Sequence, residues 1–224
     1  MAINIAIDGP SAAGKSTIAK KLAKKLGYIH LDTGAMYRCT AYKALQKGIS
    51  LADEKAVCGM LAQTKIELTS EGKVLLDGRD VTMAIRADEI SLAASKVSKL
   101  VKVREDLVRR QQQMAEPKGF IMDGRDIGTV VLKDAEVKVF MTASPEARAK
   151  RRYDQNITDH IPTGSIAEIA EDIRKRDYAD SHRKASPLCK AEDASEIDTS
   201  NMTIDEVCCA IEVLAEPFLK KEDA

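Results

Sequence analysis

Residues 9–16 read Gly9-Pro10-Ser11-Ala12-Ala13-Gly14-Lys15-Ser16, which fits the spacing G-x-x-x-x-G-K-[ST]. Glycines at both ends let the backbone curl, so successive N–H groups face inward and bind phosphate oxygens. A helix starting there adds its positive N-terminal end. Lys15 suits the β- and γ-phosphates of a nucleotide, and the Ser16 hydroxyl suits Mg²⁺. Such a loop needs a strand before it and an amphipathic helix after it. Ile3–Asp8 is short and apolar, and Lys15–Leu26 carries Ile18, Leu22, Ala23 and Leu26 at helical spacing. The segment predicts a P-loop that holds the triphosphate of ATP.

A second group follows the next strand: Asp32-Thr33-Gly34-Ala35-Met36-Tyr37-Arg38. In open α/β sheets, ligands bind beyond the carboxyl ends of strands. Thr33 and Gly34 open a helix whose free N–H groups can hold an anion, and Arg38 lies one turn along. This predicts a phosphate site for an acceptor; a helix cap with a surface arginine is the plainer alternative. The tetrapeptide Asp-Gly-Arg-Asp occurs twice, at Asp77–Asp80 and Asp123–Asp126. The first copy follows a hairpin strand and reads as a turn. The second ends the apolar run Phe120-Ile121-Met122. There Asp123 can hold Mg²⁺ through water, Arg125 can grip phosphate, and Asp126 can accept from an amino group.

Arginines recur late, at Arg148, Arg151, Arg152, Arg174, Arg176 and Arg183. Two charged helices around Ile161-Pro162-Thr163-Gly164 describe a closing lid, and a cation brought over a transferring phosphoryl group is worth about 10³–10⁵ in rate. A solvated helical face explains Arg148–Arg152 equally well. A P-loop alone does not specify a kinase. No Asn-Lys-x-Asp guanine reader is present, and the short chain with late arginines favours a small-molecule kinase.

The elements that must position these residues alternate in type. Ile3–Asp8, Tyr28–Leu31, Phe120–Asp123, Val137–Met141 and Ser195–Thr199 read as strands of a five-stranded parallel sheet. Helices are expected over Lys15–Leu26, Gly34–Lys47 and Val103–Ala115, after the Ser144-Pro145 cap, and after the Thr203–Glu206 capping box. Ile66–Thr69 and Lys73–Leu76 flank Ser70-Glu71-Gly72 as an antiparallel hairpin inside an insertion. The expected architecture is a three-layer α/β/α fold: a core of 1–49, 104–147 and 184–224, an insertion at 50–103, and a helical lid at 148–183.

The 224 residues are 44% hydrophobic and 31% charged, with 35 basic and 35 acidic side chains. That describes a folded, soluble chain, and the balance argues against nucleic-acid or membrane-surface partners. Cys39, Cys58, Cys189, Cys208 and Cys209 have neither zinc nor disulfide spacing and are expected to be reduced and mostly buried. His30, His160 and His182 show no ligand spacing. No signal peptide or transmembrane run is expected, and a cytoplasmic monomer is.

Gly9–Ser16 with Thr17, Asp32–Arg38, Ile85-Arg86, Val103-Arg104, the run Asp123-Gly124-Arg125-Asp126-Ile127-Gly128-Thr129-Val130-Val131, and Arg176 through Pro187-Leu188 together resemble bacterial-type cytidylate kinases. The resemblance spans essentially the whole chain, and it makes the 50–103 insertion a nucleoside-monophosphate-binding subdomain. It implies transfer from ATP, with Mg²⁺, to CMP and dCMP. It also implies roles at matching positions. Thr17 joins the ATP loop, and Ser95, Arg104 and Asp126 read cytosine. Thr33, Arg38, Arg125 and Arg183 hold the acceptor phosphate, Arg176 and Asp180 meet the ribose, and Tyr37 lies in the CMP site. Lys15, Arg125, Arg176 and Arg183 are the implied catalytic cations. Ala12-Ala13 departs from relatives that carry a glycine there, and Thr33 replaces a serine found in some. A P-loop kinase for another acceptor (UMP, shikimate or dephospho-coenzyme A) and a non-catalytic nucleotide switch are the alternatives.

Overall fold

The computed structural model describes residues 2–69 and 72–219, without the Asp88 side chain. Strand β1 (Ile5–Asp8) is buried throughout, as its unbroken apolar sequence requires. It runs parallel to β6 (Phe120–Gly124) on one side and β7 (Val137–Thr142) on the other, and β7 pairs in parallel with β8 (Ser195–Asp198). With β2 (Ile29–Asp32), the sheet order is β2-β6-β1-β7-β8. Chain order and spatial order therefore differ, as in a doubly wound α/β sheet, and the expected five-stranded fold is found.

The chain divides into two compact units: Ile29–Pro117, and the remainder formed by the residues up to Tyr28 together with those from Lys118 onward. In the discontinuous unit, α1 (Lys15–Leu26) and α8 (Ile204–Leu219) cover the sheet. Ile18, Ala19 and Leu22 of α1 and Val207, Ile211 and Ala215 of α8 pack with Ile5, Ile7, Ile121, Val139 and Met141. Burying each large aliphatic side chain stabilises by about 1.5–3 kcal/mol. Helix α6 (Pro145–Thr158) starts at the Ser144 cap, where Ser144 Oγ accepts from Ala147 N. Helix α7 (Ile166–Ser181) starts at a capping box between Ser165 and Glu168. Ala149, Ala170 and Ile173 hold these two helices together.

The Ile29–Pro117 unit contains α2 (Thr33–Gln46), α3 (Glu54–Leu61), α4 (Asp88–Val97) and α5 (Val101–Ala115). The hairpin β3 (Ile66–Leu68) and β4 (Val74–Leu76) is antiparallel, and Ser70 and Glu71 of its turn lie outside the described residues. A third strand, β5 (Arg79–Asp80), pairs with β4. The first Asp-Gly-Arg-Asp is thus a turn only at Asp77-Gly78, because Arg79 and Asp80 find backbone partners on β4. Two further elements escape the sequence patterns: a 3₁₀ turn at Ala84–Arg86 and a π-helical turn at Ile127–Val131. Of the free cysteines, Cys39 and Cys208 are buried while Cys189 and Cys209 are exposed, so the thiols are less buried than their type suggests.

Candidate active site

The phosphate loop leaves β1 at Gly9, whose φ is 146°. A Cβ there would lie 2.1 Å from the Met141 carbonyl oxygen on β7, so only glycine fits. Gly14 (φ 91°) turns the chain into α1. Between them Ala12 is also left-handed (φ 58°), which costs about 1–2 kcal/mol for an L-residue. Of the two alanines at which the family resemblance leads to an expected glycine, Ala12 carries the left-handed conformation and Ala13 is buried.

Lys15 opens α1 and is buried, with Nζ donating to the Pro10 carbonyl at 2.6 Å. Burial, and then the charge of Arg125, push its pKa down to about 7 against the opposing pull of Asp123 and Asp8. Ser16 Oγ donates to Asp123 Oδ2 at 2.7 Å. One hydroxyl and one carboxylate oxygen form the donor set Mg²⁺ takes, since that ion uses few protein oxygens, substrate phosphates and retained waters. Among the described residues no group of three or more His, Cys, Asp or Glu side chains could cage a metal. Pro10 and Ser11 line the loop half-buried, and Thr17 is exposed on α1.

The second Asp-Gly-Arg-Asp ends β6 inside the same unit. Arg125 Nε donates to Asp180 Oδ2 of α7 at 2.9 Å. Arg183 Nη2 lies 3.7 Å from Asp126 Oδ1, and its Nε donates to the Ser186 carbonyl at 2.6 Å. Burial raises the Asp180 pKa, but Arg125, Arg176 and Arg183 outweigh it and hold the carboxyl below the usual range. Five of the expected residues, Arg125, Asp126, Arg176, Asp180 and Arg183, therefore form one charged cluster, and the charge of Arg125 also reaches Lys15.

Arg148, which the sequence leaves open, is not a solvated arginine. It is buried, donates to the Ala143 carbonyl at 2.8 Å and to the Ser11 carbonyl of the phosphate loop at 3.1 Å, and pairs with Asp177 of α7 at 2.7 Å. Arg151 donates to Thr199 Oγ1 at 3.1 Å and to its carbonyl. Asp8 carries no role in the sequence reading, yet it is buried and accepts from the backbone of Ile127 and Gly128. Its only sequence signal is an acid closing an apolar strand just before the loop.

The Ile29–Pro117 unit holds the remaining candidates. Asp32 caps α2 by accepting from Ala35 N at 3.1 Å and pairs with Arg38 Nη2 at 2.6 Å. Burial raises the Asp32 pKa, but the charges of Arg38 and His30 overcome it and leave the group lowered. Thr33 is buried at the first helical position. The Arg104 guanidinium stands 5.5 Å from the Tyr37 ring centroid, a cation–π geometry, and donates to the Ser98 carbonyl at 3.3 Å. Ser95 is half-buried on α4, its carbonyl accepting from Ser98 Oγ at 3.0 Å.

Residues 5–216 match the protein family described as Cytidylate kinase. The chain is 54% identical over 207 residues to a cytidylate kinase of Bacillus licheniformis, covering 91% of each. It is 53% identical over 208 residues to one from Bacillus subtilis, covering 92% of each. A solved gluconokinase from Sinorhizobium meliloti matches with a TM-score of 0.51 at 13% identity, covering 99% of this chain and 97% of that one, a likeness of fold. No described helix is long and apolar enough to cross a membrane. The match runs from the first strand to the last helix and takes in the phosphate loop and the arginine cluster, so the chain belongs to the cytidylate kinase family, whose members are nucleoside monophosphate kinases.

Proposed function

We propose that the chain transfers the γ-phosphoryl group of ATP to the phosphate of CMP and dCMP, yielding CDP and dCDP. The observation that carries this reading is the single cluster of Lys15, Arg125, Arg176, Arg183 and Asp180 beside the phosphate loop. Two anionic substrates must be brought together, and this cluster supplies the cations for both. Gly9–Thr17 holds ATP. Ser95, Arg104 and Asp126 read cytosine, whose amino group donates and whose ring atoms accept. Thr33, Arg38, Arg125 and Arg183 bind the acceptor phosphate, Arg176 and Asp180 meet the ribose, and Tyr37 lies alongside. Each assignment rests on that residue's own surroundings and on the family's pattern.

Transfer is in-line, with no covalent enzyme intermediate. Lys15 and the arginines stabilise the charge spread over the transferring group, and the helices of 148–183 exclude water as a lid. Ser16 directly, and Asp123 through water, would hold Mg²⁺, which neutralises β- and γ-phosphate charge when bound. The 50–103 insertion serves the monophosphate. We place the enzyme in the cytoplasm, where ATP and CMP occur, as a monomer. Turnover with ATP is to be compared for CMP, dCMP, UMP, AMP and shikimate. Fast turnover of CMP and dCMP is expected. Turnover of shikimate without CMP would overturn the assignment, and ATP binding without ADP production on adding CMP would favour a switch.

A further inference from the structure

Asp8 closes β1, one residue before the phosphate loop, and is 4% exposed. Its two carboxylate oxygens accept separately from the backbone N–H groups of Ile127 and Gly128, both at 2.7 Å. These are the first two residues of the π-helical turn Ile127–Val131, which follows directly on Arg125 and Asp126. Asp126 is tied into the turn as well. Its carbonyl accepts from Val130 N at 2.9 Å and Val131 N at 3.2 Å, and Leu132 N returns to the Ile127 carbonyl at 2.7 Å. The backbone arc that carries Arg125 and Asp126 is thus pinned at its start by a side chain from the root of the phosphate loop.

Only a carboxylate can accept from both N–H groups without offering a donor in return. Holding it there works against stability. Burial pushes the Asp8 pKa up to about 6, helped by the charge of Asp126, while the two backbone bonds and Lys15 oppose. A carboxyl whose folded pKa lies above its unfolded value loses stability for the fold as pH rises between the two values. A purely structural role gains nothing from that.

We infer that Asp8 is a positioning residue: through Ile127 and Gly128 it registers Arg125 and Asp126 to the phosphate loop, and so governs acceptor binding without touching substrate. The inference rests on the proposed use of CMP as acceptor.

The test is Asp8→Asn, which keeps the shape but faces one N–H with an amide NH₂. KM for CMP, kcat, the dissociation constant for ATP and the melting temperature at pH 7 are measured beside wild type. A rise of about tenfold in KM for CMP is expected, the size of one lost hydrogen bond to a charged group, with ATP affinity changed less than about twofold. Unchanged CMP kinetics, or equal losses for CMP and ATP with a lowered melting temperature, would overturn the inference. If Asp8→Asn does not fold, Gly128→Ala carries the test. Its Cβ would lie 3.4 Å from Asp8 Oδ2 and 3.2 Å from Lys138 Cδ and would press on the same clamp. A CMP-selective loss there supports the role, and an equal loss for both substrates removes it. A wild-type enzyme that ignores CMP would instead overturn the proposed function, a result readily told apart from a failed variant.

Discussion

Arg125 Nε donates to the Asp180 carboxylate across 2.9 Å, and that carboxylate also lies in the fields of Arg176 and Arg183. An acid centred among three arginines holds them close despite their mutual repulsion. An acceptor phosphate can replace it as partner, because guanidinium binds both groups through the same fork of donors.

Removing Arg125 should therefore affect transfer rather than nucleotide capture. Arg125→Ala is expected to lower kcat/KM for CMP by about 10³-fold while ATP still binds. Steady-state kinetics beside ATP titration checks this. Unchanged turnover would take Arg125 out of the acceptor site.

Asp126 is proposed to read the base, and cytosine and uracil present different edges to an acid. Asp126→Ala is expected to weaken CMP about 10- to 100-fold and UMP far less, a discrimination of about 1–3 kcal/mol. Equal loss for both nucleotides contradicts a reading role.

Lys15 carries a pKa of about 7 because burial and then Arg125 disfavour its charge. Phosphate favours the charged form. Above pH 7 the free lysine is largely neutral and must gain a proton when ATP arrives. ATP affinity is then expected to fall by up to about tenfold per pH unit above 7, with uptake of about one proton at pH 8. Calorimetry in buffers of different ionisation enthalpy measures that uptake directly. For the free chain, the folded state binds fewer protons than the unfolded one between 7 and 10.5, so this group's contribution to stability rises with pH across that window.

The two Asp-Gly-Arg-Asp copies should respond differently to substitution. Asp77 accepts from Lys65 N at 3.0 Å and pairs at 2.5 Å with the buried Lys43, which also donates to Thr64 Oγ1 at 2.9 Å. Asp77→Ala leaves that ammonium without its counter-charge and is expected to cost about 1–2 kcal/mol, discounted for the exposed side of the pair. The Asp80 side chain is exposed and accepts from Thr82 N and Oγ1. Asp80→Ala should leave CMP turnover unchanged. Thermal denaturation and turnover on both variants separate the two.

Sequence alone determined what is local. The phosphate loop, the five core strands, the Ser144 cap and the Thr203 capping box depend on residues within a few positions of one another. Spacing alone signals them because backbone geometry over such distances is set by φ, ψ and nearby side chains. Family membership was legible for the same reason, since the motifs are short and ordered. Tertiary structure decided everything that rests on distant partners. Asp8 meets residues about 120 positions away, and Arg148 meets Ser11 across 137. No periodicity distinguishes a buried arginine from a solvated one on a charged helix. The pairing of β5 with β4, the π-helical turn after Asp126 and the sheet order β2-β6-β1-β7-β8 likewise follow from which groups find partners once the chain is compact. The sequence supplied the charged groups, and folding determined which of them face one another.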